Sequence, residues 1–280
     1  MKCVNLGCGS RYHPAWINID IAPSSPEVMA YDLRRGVPLA DNSCDVVYHS
    51  HVLEHLRRQE AKFFLSECVR VLKPGGILRV AVPDLERICR AYLEKLNAAE
   101  TSAAATDDYD WMMVELCDQF VRETSGGEMR EFLSRRPLPS EAFIYERIGE
   151  EGRELIHGSH NSPATASPVG MSRLANSLRY RFNSMRRAGA VAILRLMCGK
   201  QAAQALDVGS FRLAGEPHQW MYDRFSLARL LRETGFEHPT QKSATDSEIA
   251  GWSGFNLDTL PDGTVIKPDS LFMEGIKPGR

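Results

Sequence analysis

Two glycines one residue apart close an apolar run, Cys3-Val4-Asn5-Leu6-Gly7-Cys8-Gly9, and an acid closes the next one, Trp16-Ile17-Asn18-Ile19-Asp20. That pattern suits a nucleoside. The missing side chains of Gly7 and Gly9 let a ligand approach the backbone closely, and a carboxylate at the following strand end is placed to hold the hydroxyls of a ribose. Histidine supplies a second kind of chemistry, because an imidazole with a reference pKa of ~6.5 accepts a proton near neutral pH. His51, after the apolar run 44–50, and His218, where a long middle region ends, are the candidate bases. Asp84, after the run 77–83, is the candidate acid for orienting an acceptor or a histidine. Each has a plainer reading: a helix cap for His51, a loop acid for Asp84, and a packed structural role for His55. His157 and His160 lie in a polar stretch, and their spacing to His218 predicts no metal site.

These residues need strands to carry them. Apolar runs at 3–6, 16–19, 28–33, 44–50 and 77–82 alternate with loops and one strongly helical stretch, 51–72, whose apolar residues Leu53, Leu56, Phe63, Phe64, Cys68, Val71 and Leu72 fall largely on one face. Lys73-Pro74-Gly75-Gly76 ends that helix. Such alternation predicts an α/β fold with a doubly wound parallel sheet, in which ligands sit beyond the carboxyl ends of the strands. Gly7, Asp20, Asp32, His49 to His51 and Asp84 all fall at those ends. Residues 85–215 lack βα alternation and read as a mainly helical insertion, with helices expected over 85–96 and 115–133. A capped helix from Asp223 to Thr234 and a last strand, 270–276, return to the core. The division is a core of 1–84 plus 216–280, with a cap of 85–215 forming the acceptor site.

Composition narrows the class. A formal net charge of -2 lacks the basic excess of nucleic-acid binders. Seven cysteines, scattered and without a C-x-x-C pair, fit reduced thiols better than a disulfide framework. No apolar stretch reaches the ~20 residues that span a bilayer, and no signal segment precedes the first strand, so a cytoplasmic protein is expected. The stretch 173–200 carries seven basic residues and no acid. It reads as a helix with a solvated basic face, or as a peripheral contact to an anionic membrane or glycan-carrier phosphate.

Taken together, Val4-Asn5-Leu6-Gly7-Cys8-Gly9, Asp20, Asp32-Leu33, Ser43-Cys44-Asp45-Val46-Val47, His51-Val52-Leu53-Glu54-His55 and Val71-Leu72-Lys73-Pro74-Gly75-Gly76 resemble the class I S-adenosylmethionine-dependent methyltransferases, type 11-like, in order and spacing. His218 to Asp223 and the strand from Ser270 resemble a bacterial branch associated with polysaccharide and cell-envelope biosynthesis. The resemblance implies a Rossmann-like seven-stranded sheet with S-adenosylmethionine as cofactor. It places Asn5, Gly7, Cys8 and Gly9 at the methionine end and Asp20 with Ile21 at the ribose. Asp32 with Leu33 would meet the adenine, and His49 with Ser50 would lie beneath the sulfonium. Asn5 stands where the family usually has an acid, and Arg11 where a third glycine is common. The Asn/Asp-Pro-Pro-aromatic motif of amine and amide methylases is absent after the fourth strand, which favours methylation of a sugar, glycan or small-metabolite hydroxyl over nucleic acid. N-methylation of a small molecule, an NAD-dependent oxidoreductase and a non-catalytic nucleoside-binding module are the alternatives.

Overall fold

The computed structural model describes residues 1–158 and 189–279. Seven strands form one sheet: β1 (Cys3–Leu6), β2 (Ile17–Asp20), β3 (Val28–Ala30), β4 (Cys44–Ser50), β5 (Leu72–Pro83), β6 (Glu237–Lys242) and β7 (Ser270–Ile276). Their order is β3-β2-β1-β4-β5-β7-β6. β1 to β5 pair in parallel, and β7 runs antiparallel between β5 and β6. Every residue of β1 is buried, as a strand covered on both faces must be. β6 (Glu-His-Pro-Thr-Gln-Lys) carries no apolar alternation. It lies at the sheet edge, where Pro239 and a register shift are tolerated.

One face of the sheet is covered by α1 (Arg58–Val71) and α8 (Arg224–Glu233), whose apolar stripes join Leu6, Ile19 and Val47 in the main core. Asp223 caps α8 as its sequence predicts, accepting from the amides of Phe225 and Ser226. The other face is covered by a short 3-10 turn, Trp252–Phe255, whose Trp252 packs with Trp16 and Tyr48. The region between β5 and the return segment at 218–223 holds α2 (Leu85–Thr101), α3 (Thr106–Val121), α4 (Gly127–Leu133), α5 (Glu141–Gly158), α6 (189–198) and α7 (Lys200–Leu213). Trp111, Met112, Phe132 and Ile144 give it a second apolar cluster, which Met221 joins.

Three boundaries differ from the pattern reading. The third strand stops at Ala30, and Asp32 instead caps a 3-10 turn, Leu33–Arg35. The stretch after β4 opens with a separate 3-10 turn, Leu53–His55, before α1. The expected helix over 115–133 is broken where Gly126 and Gly127 take φ of 81° and 52°, values that few other residues adopt. Residues 173–188 of the basic stretch, His160 and the side chain of His157 lie outside the described residues. Among the described residues no helix is long and apolar enough to cross a membrane.

Two buried polar residues show what the sheet must accommodate. Arg79, on β5, is 0% exposed. Its Nε donates to Asp258 Oδ2 and its Nη1 to Glu274 Oε1, both at 2.9 Å, and its Nη2 donates to the Ser243 carbonyl at 2.7 Å. The guanidinium also lies 4.3 Å from the Trp252 ring centroid. It therefore fastens the segment 243–258 to the sheet. Arg79→Met leaves two buried carboxylates unpaired and is expected to cost about 3–5 kcal/mol. Urea unfolding tests this, and a loss under about 1 kcal/mol would contradict it.

His49, on β4, is also fully buried, edge-on to Phe64 at 5.1 Å, with neither ring nitrogen hydrogen-bonded. Burial pushes its pKa down to about 4, against a smaller upward pull from Glu54. The unfolded chain therefore binds this proton more readily between pH 6.5 and 4, and stability falls as pH drops through that window. The contribution lost by pH 5 is about 2 kcal/mol. His49→Leu should flatten the dependence of unfolding free energy on pH between 7.5 and 5 by about that amount. An unchanged slope would show that another group carries it.

Candidate active site

The turn after β1 is stitched to the end of β2. The amide of Gly7 donates to the Ile19 carbonyl at 2.7 Å, and that of Gly9 to Asp20 Oδ2 at 2.8 Å. Asp20 Oδ1 accepts from the Ala22 amide at 2.8 Å. Each carboxylate oxygen keeps lone-pair capacity for a further donor. Gly7 and Gly9 take φ of 69° and 53°. A Cβ on Gly7 would sit 2.4 Å from Val52 Cγ2, so both its conformation and its space demand glycine. Asn5, buried in β1, donates from Nδ2 to the Arg11 carbonyl at 3.0 Å and closes the loop from within. Cys8 is buried beside it, its thiol pushed up to about 11 by burial.

Gly7, Asp20, Ile21, Asp32 and Leu33 line one cleft of about 330 Å³, together with Tyr31, Leu56 and the end of α7. The Arg34 guanidinium beside Asp32 holds that carboxyl below its ordinary range. A second cavity of about 220 Å³ is lined by Asn5, Cys8, Gly9 and Ser50 and shares Gly7 with the first. A third, also about 220 Å³, is walled by helices of the insertion through Ile88, Glu115, Gln119, Arg122 and Ile148, and by His218. One residue lines all three. It is His51.

His51 has a left-handed backbone, φ 53°, rare for a residue with a side chain. The turn lets β4 end against the Ala81 carbonyl while the ring swings into the junction. Its Nε2 lies 2.9 Å from Ser270 Oγ, and its Nδ1 lies 3.2 Å from Glu54 Oε1. A carboxylate on the Nδ1 side favours the tautomer whose Nε2 is unprotonated and faces the Ser270 hydroxyl.

Glu54 is itself 0% exposed, and neither carboxylate oxygen has an aligned hydrogen-bond donor. Burial would raise its pKa, but the surrounding imidazoles of His51, His55 and His218 outweigh it and hold the group well below the usual carboxylate range. His55 and His218 stand edge to face at 4.8 Å. Burial pushes His218 down to about 3, so it is neutral at working pH. The Glu54 carbonyl also accepts the amides of Gln219 and Trp220, at 2.7 and 3.2 Å.

Two predicted residues stand apart. The side chain of His49 does not enter a cleft, because alternation along β4 sends it into the core opposite Ser50. Asp84 is the N-cap of α2: its Oδ1 accepts from the amides of Glu86 and Arg87, and burial raises its pKa. It lines none of the three cavities. Glu54 and Ser270 were not picked out from sequence. Glu54 lies inside a segment already singled out, whereas Ser270 carries no local signal beyond opening the last strand.

The methyltransferase domain family matches residues 4–80. A Mycolicibacterium smegmatis protein bearing the name S-adenosylmethionine-dependent methyltransferase is 47% identical over 57 residues, 19% of this chain and 21% of that one. A Mycobacterium tuberculosis protein of the same description is 33% identical over 89 residues, 32% of this chain and 31% of that one. The chain thus spans under a third of the length of these relatives. Among solved structures, an S-adenosylmethionine-dependent methyltransferase from Thermotoga maritima aligns over 99% of this chain and 82% of its own, at 11% identity and a TM-score of 0.36. One from Archaeoglobus fulgidus aligns over 33% and 50%, at 21% identity and a TM-score of 0.27. The matched segment covers the glycine turn, Asp20, Asp32 and the His51–His55 turn. Residues 4–80 thus match the methyltransferase domain family, and the relatives that share part of this stretch carry the description S-adenosylmethionine-dependent methyltransferase.

Proposed function

We propose that this chain binds S-adenosylmethionine and transfers its methyl group to a hydroxyl of a sugar, glycan or small metabolite, with His51 as general base. The reading rests on one observation above others, the position of His51 at the meeting point of three cavities between Ser270 and Glu54. The cleft at Asp20, Asp32 and Leu33 suits the adenosine half, and the cavity at Asn5, Cys8 and Gly9 suits the methionine end. The cavity of the insertion suits the acceptor, since Glu115, Gln119 and Arg122 offer polar groups to a hydroxylated molecule. His218 lines that cavity too, but its burial and depressed basicity favour His51 as the base.

Bound S-adenosylmethionine would supply an electrophilic methyl group, its carbon–sulfur bond breaking to leave S-adenosylhomocysteine as the acceptor oxygen takes the methyl. His51 Nε2 takes the hydroxyl proton as the carbon–oxygen bond forms, and Glu54 stabilises the resulting imidazolium. Asp20, pinned by two backbone amides, fixes the ribose without rearranging.

Calorimetric titration with S-adenosylhomocysteine tests the cofactor half of the reading. Asp20→Ala is expected to weaken binding by about tenfold or more, the loss of one charge-assisted hydrogen bond. NADH binding in its place would overturn the assignment. A panel of hydroxylated sugars and small metabolites, followed by S-adenosylhomocysteine release, tests the chemistry. His51→Gln should keep cofactor affinity and lose roughly 10²–10⁴-fold in kcat; undiminished turnover would remove His51 from the mechanism.

A further inference from the structure

The geometry points to a divalent transition-metal site made by Glu54, His55 and His218, at the boundary between the cofactor cleft and the cavity of the insertion. One potential ligand atom from each of these residues lies within 4.8 Å of the others. Donors around a four-coordinate zinc stand roughly 3.3–3.5 Å apart, given bonds of about 2.0–2.1 Å. The set must therefore close by up to about 1.5 Å. Nothing opposes that closure at Glu54, because neither of its oxygens is held by an aligned donor. The Nδ1 of His55 is likewise buried without a partner.

Orphaned groups are the second line of argument. Buried carboxylates are almost always paired, because an unpaired one forfeits its hydration. Here a fully buried carboxylate faces imidazoles, and the contact from His51 Nδ1, at 3.2 Å, is poorly aligned. A cation between Glu54, His55 and His218 would neutralise the charge and engage both orphaned groups. Two imidazoles and a carboxylate suit zinc and its first-row neighbours rather than calcium or magnesium, and such a set leaves a coordination position open. His55 lines the cofactor cleft and His218 the cavity of the insertion. In the methyl-transfer reading, on which this functional consequence alone rests, an ion there would acidify an acceptor hydroxyl beside His51.

The test uses the full chain stripped with a chelator and titrated with Co²⁺, read by visible absorption, with Zn²⁺ competition and metal analysis for stoichiometry. One Co²⁺ per chain is expected, displaced by Zn²⁺, with ligand-field bands and no near-ultraviolet thiolate charge-transfer band. His218→Ala and the isosteric Glu54→Gln should each weaken binding by about 100-fold or more, as loss of a direct ligand exceeds the 10–100-fold loss typical of outer-shell partners. Retained S-adenosylhomocysteine affinity in His218→Ala shows that the variant is folded. No stoichiometric cobalt, a thiolate band, or wild-type affinity in both variants would overturn the site. S-adenosylhomocysteine binding without cobalt binding overturns the metal site alone. Cobalt binding without S-adenosylhomocysteine binding overturns the cofactor reading alone.

Discussion

Burying the carboxylate of Glu54 is the constraint on which the rest of the site depends. A charge taken out of water is costly unless it is paired, and the imidazoles that face this one come from three parts of the chain. His51 comes from the end of β4, His55 from the following 3-10 turn, and His218 from the segment returning out of the helical insertion. The backbone reinforces the arrangement. The Glu54 carbonyl takes the amides of Gln219 and Trp220, while the His218 amide reaches the Gln119 carbonyl on α3. One buried side chain thus couples the sheet to the insertion, at the point where the cavities of both meet.

The opposite face of the sheet solves a similar problem differently. Arg79 is as deeply buried as Glu54, but its guanidinium is bonded to two carboxylates and to main-chain carbonyls of the segment 243–258. Asp258 is in turn held by the Tyr48 hydroxyl at 2.6 Å. A satisfied network of this kind specifies one structure. The Glu54 cluster is under-bonded, and that difference separates a structural ion cluster from one poised for a ligand or a proton.

Much of this was legible in the chain. The glycine turn, Asp20 at the end of β2 and the greater part of the helix read over 51–72 follow from apolar periodicity and from where glycine, proline and acid interrupt it, and Gly7, Asp20, Asp32 and Leu33 do share a cleft. The failures have physical causes. Edge strand β6 lacks apolar alternation because it has little to bury. Asp84 looks like a cleft acid but serves a helix terminus, a competing use for aspartate at a strand end. His49 and Ser50 cannot both face the cofactor, since neighbours on a strand point to opposite faces. Arg79 and Glu54 were invisible as a class: nothing local distinguishes a charge that folding will bury from one it will leave in water.

The left-handed turn at His51 explains how the strand parity is escaped. Had β4 continued in regular geometry, residue 51 would have followed His49 toward the α1 face, where the core is closed. A positive φ at this position costs on the order of 1 kcal/mol, and it redirects the ring to the junction of the cavities. Ser270 Oγ then lies within hydrogen-bond distance of Nε2, and the Glu54 carboxylate lies beside Nδ1, so the strained residue is flanked on both sides. Within the proposed reading, this divides the labour of the fold. The parallel strands fix a nucleoside at their carboxyl ends, the insertion walls a separate cavity, and among the described residues a single strained one is shared by both and by the cavity at the glycine turn. Changes in the insertion can then alter the acceptor without disturbing the glycine turn or the strand-end acids, provided that the contacts from 218–220 back to Glu54 survive.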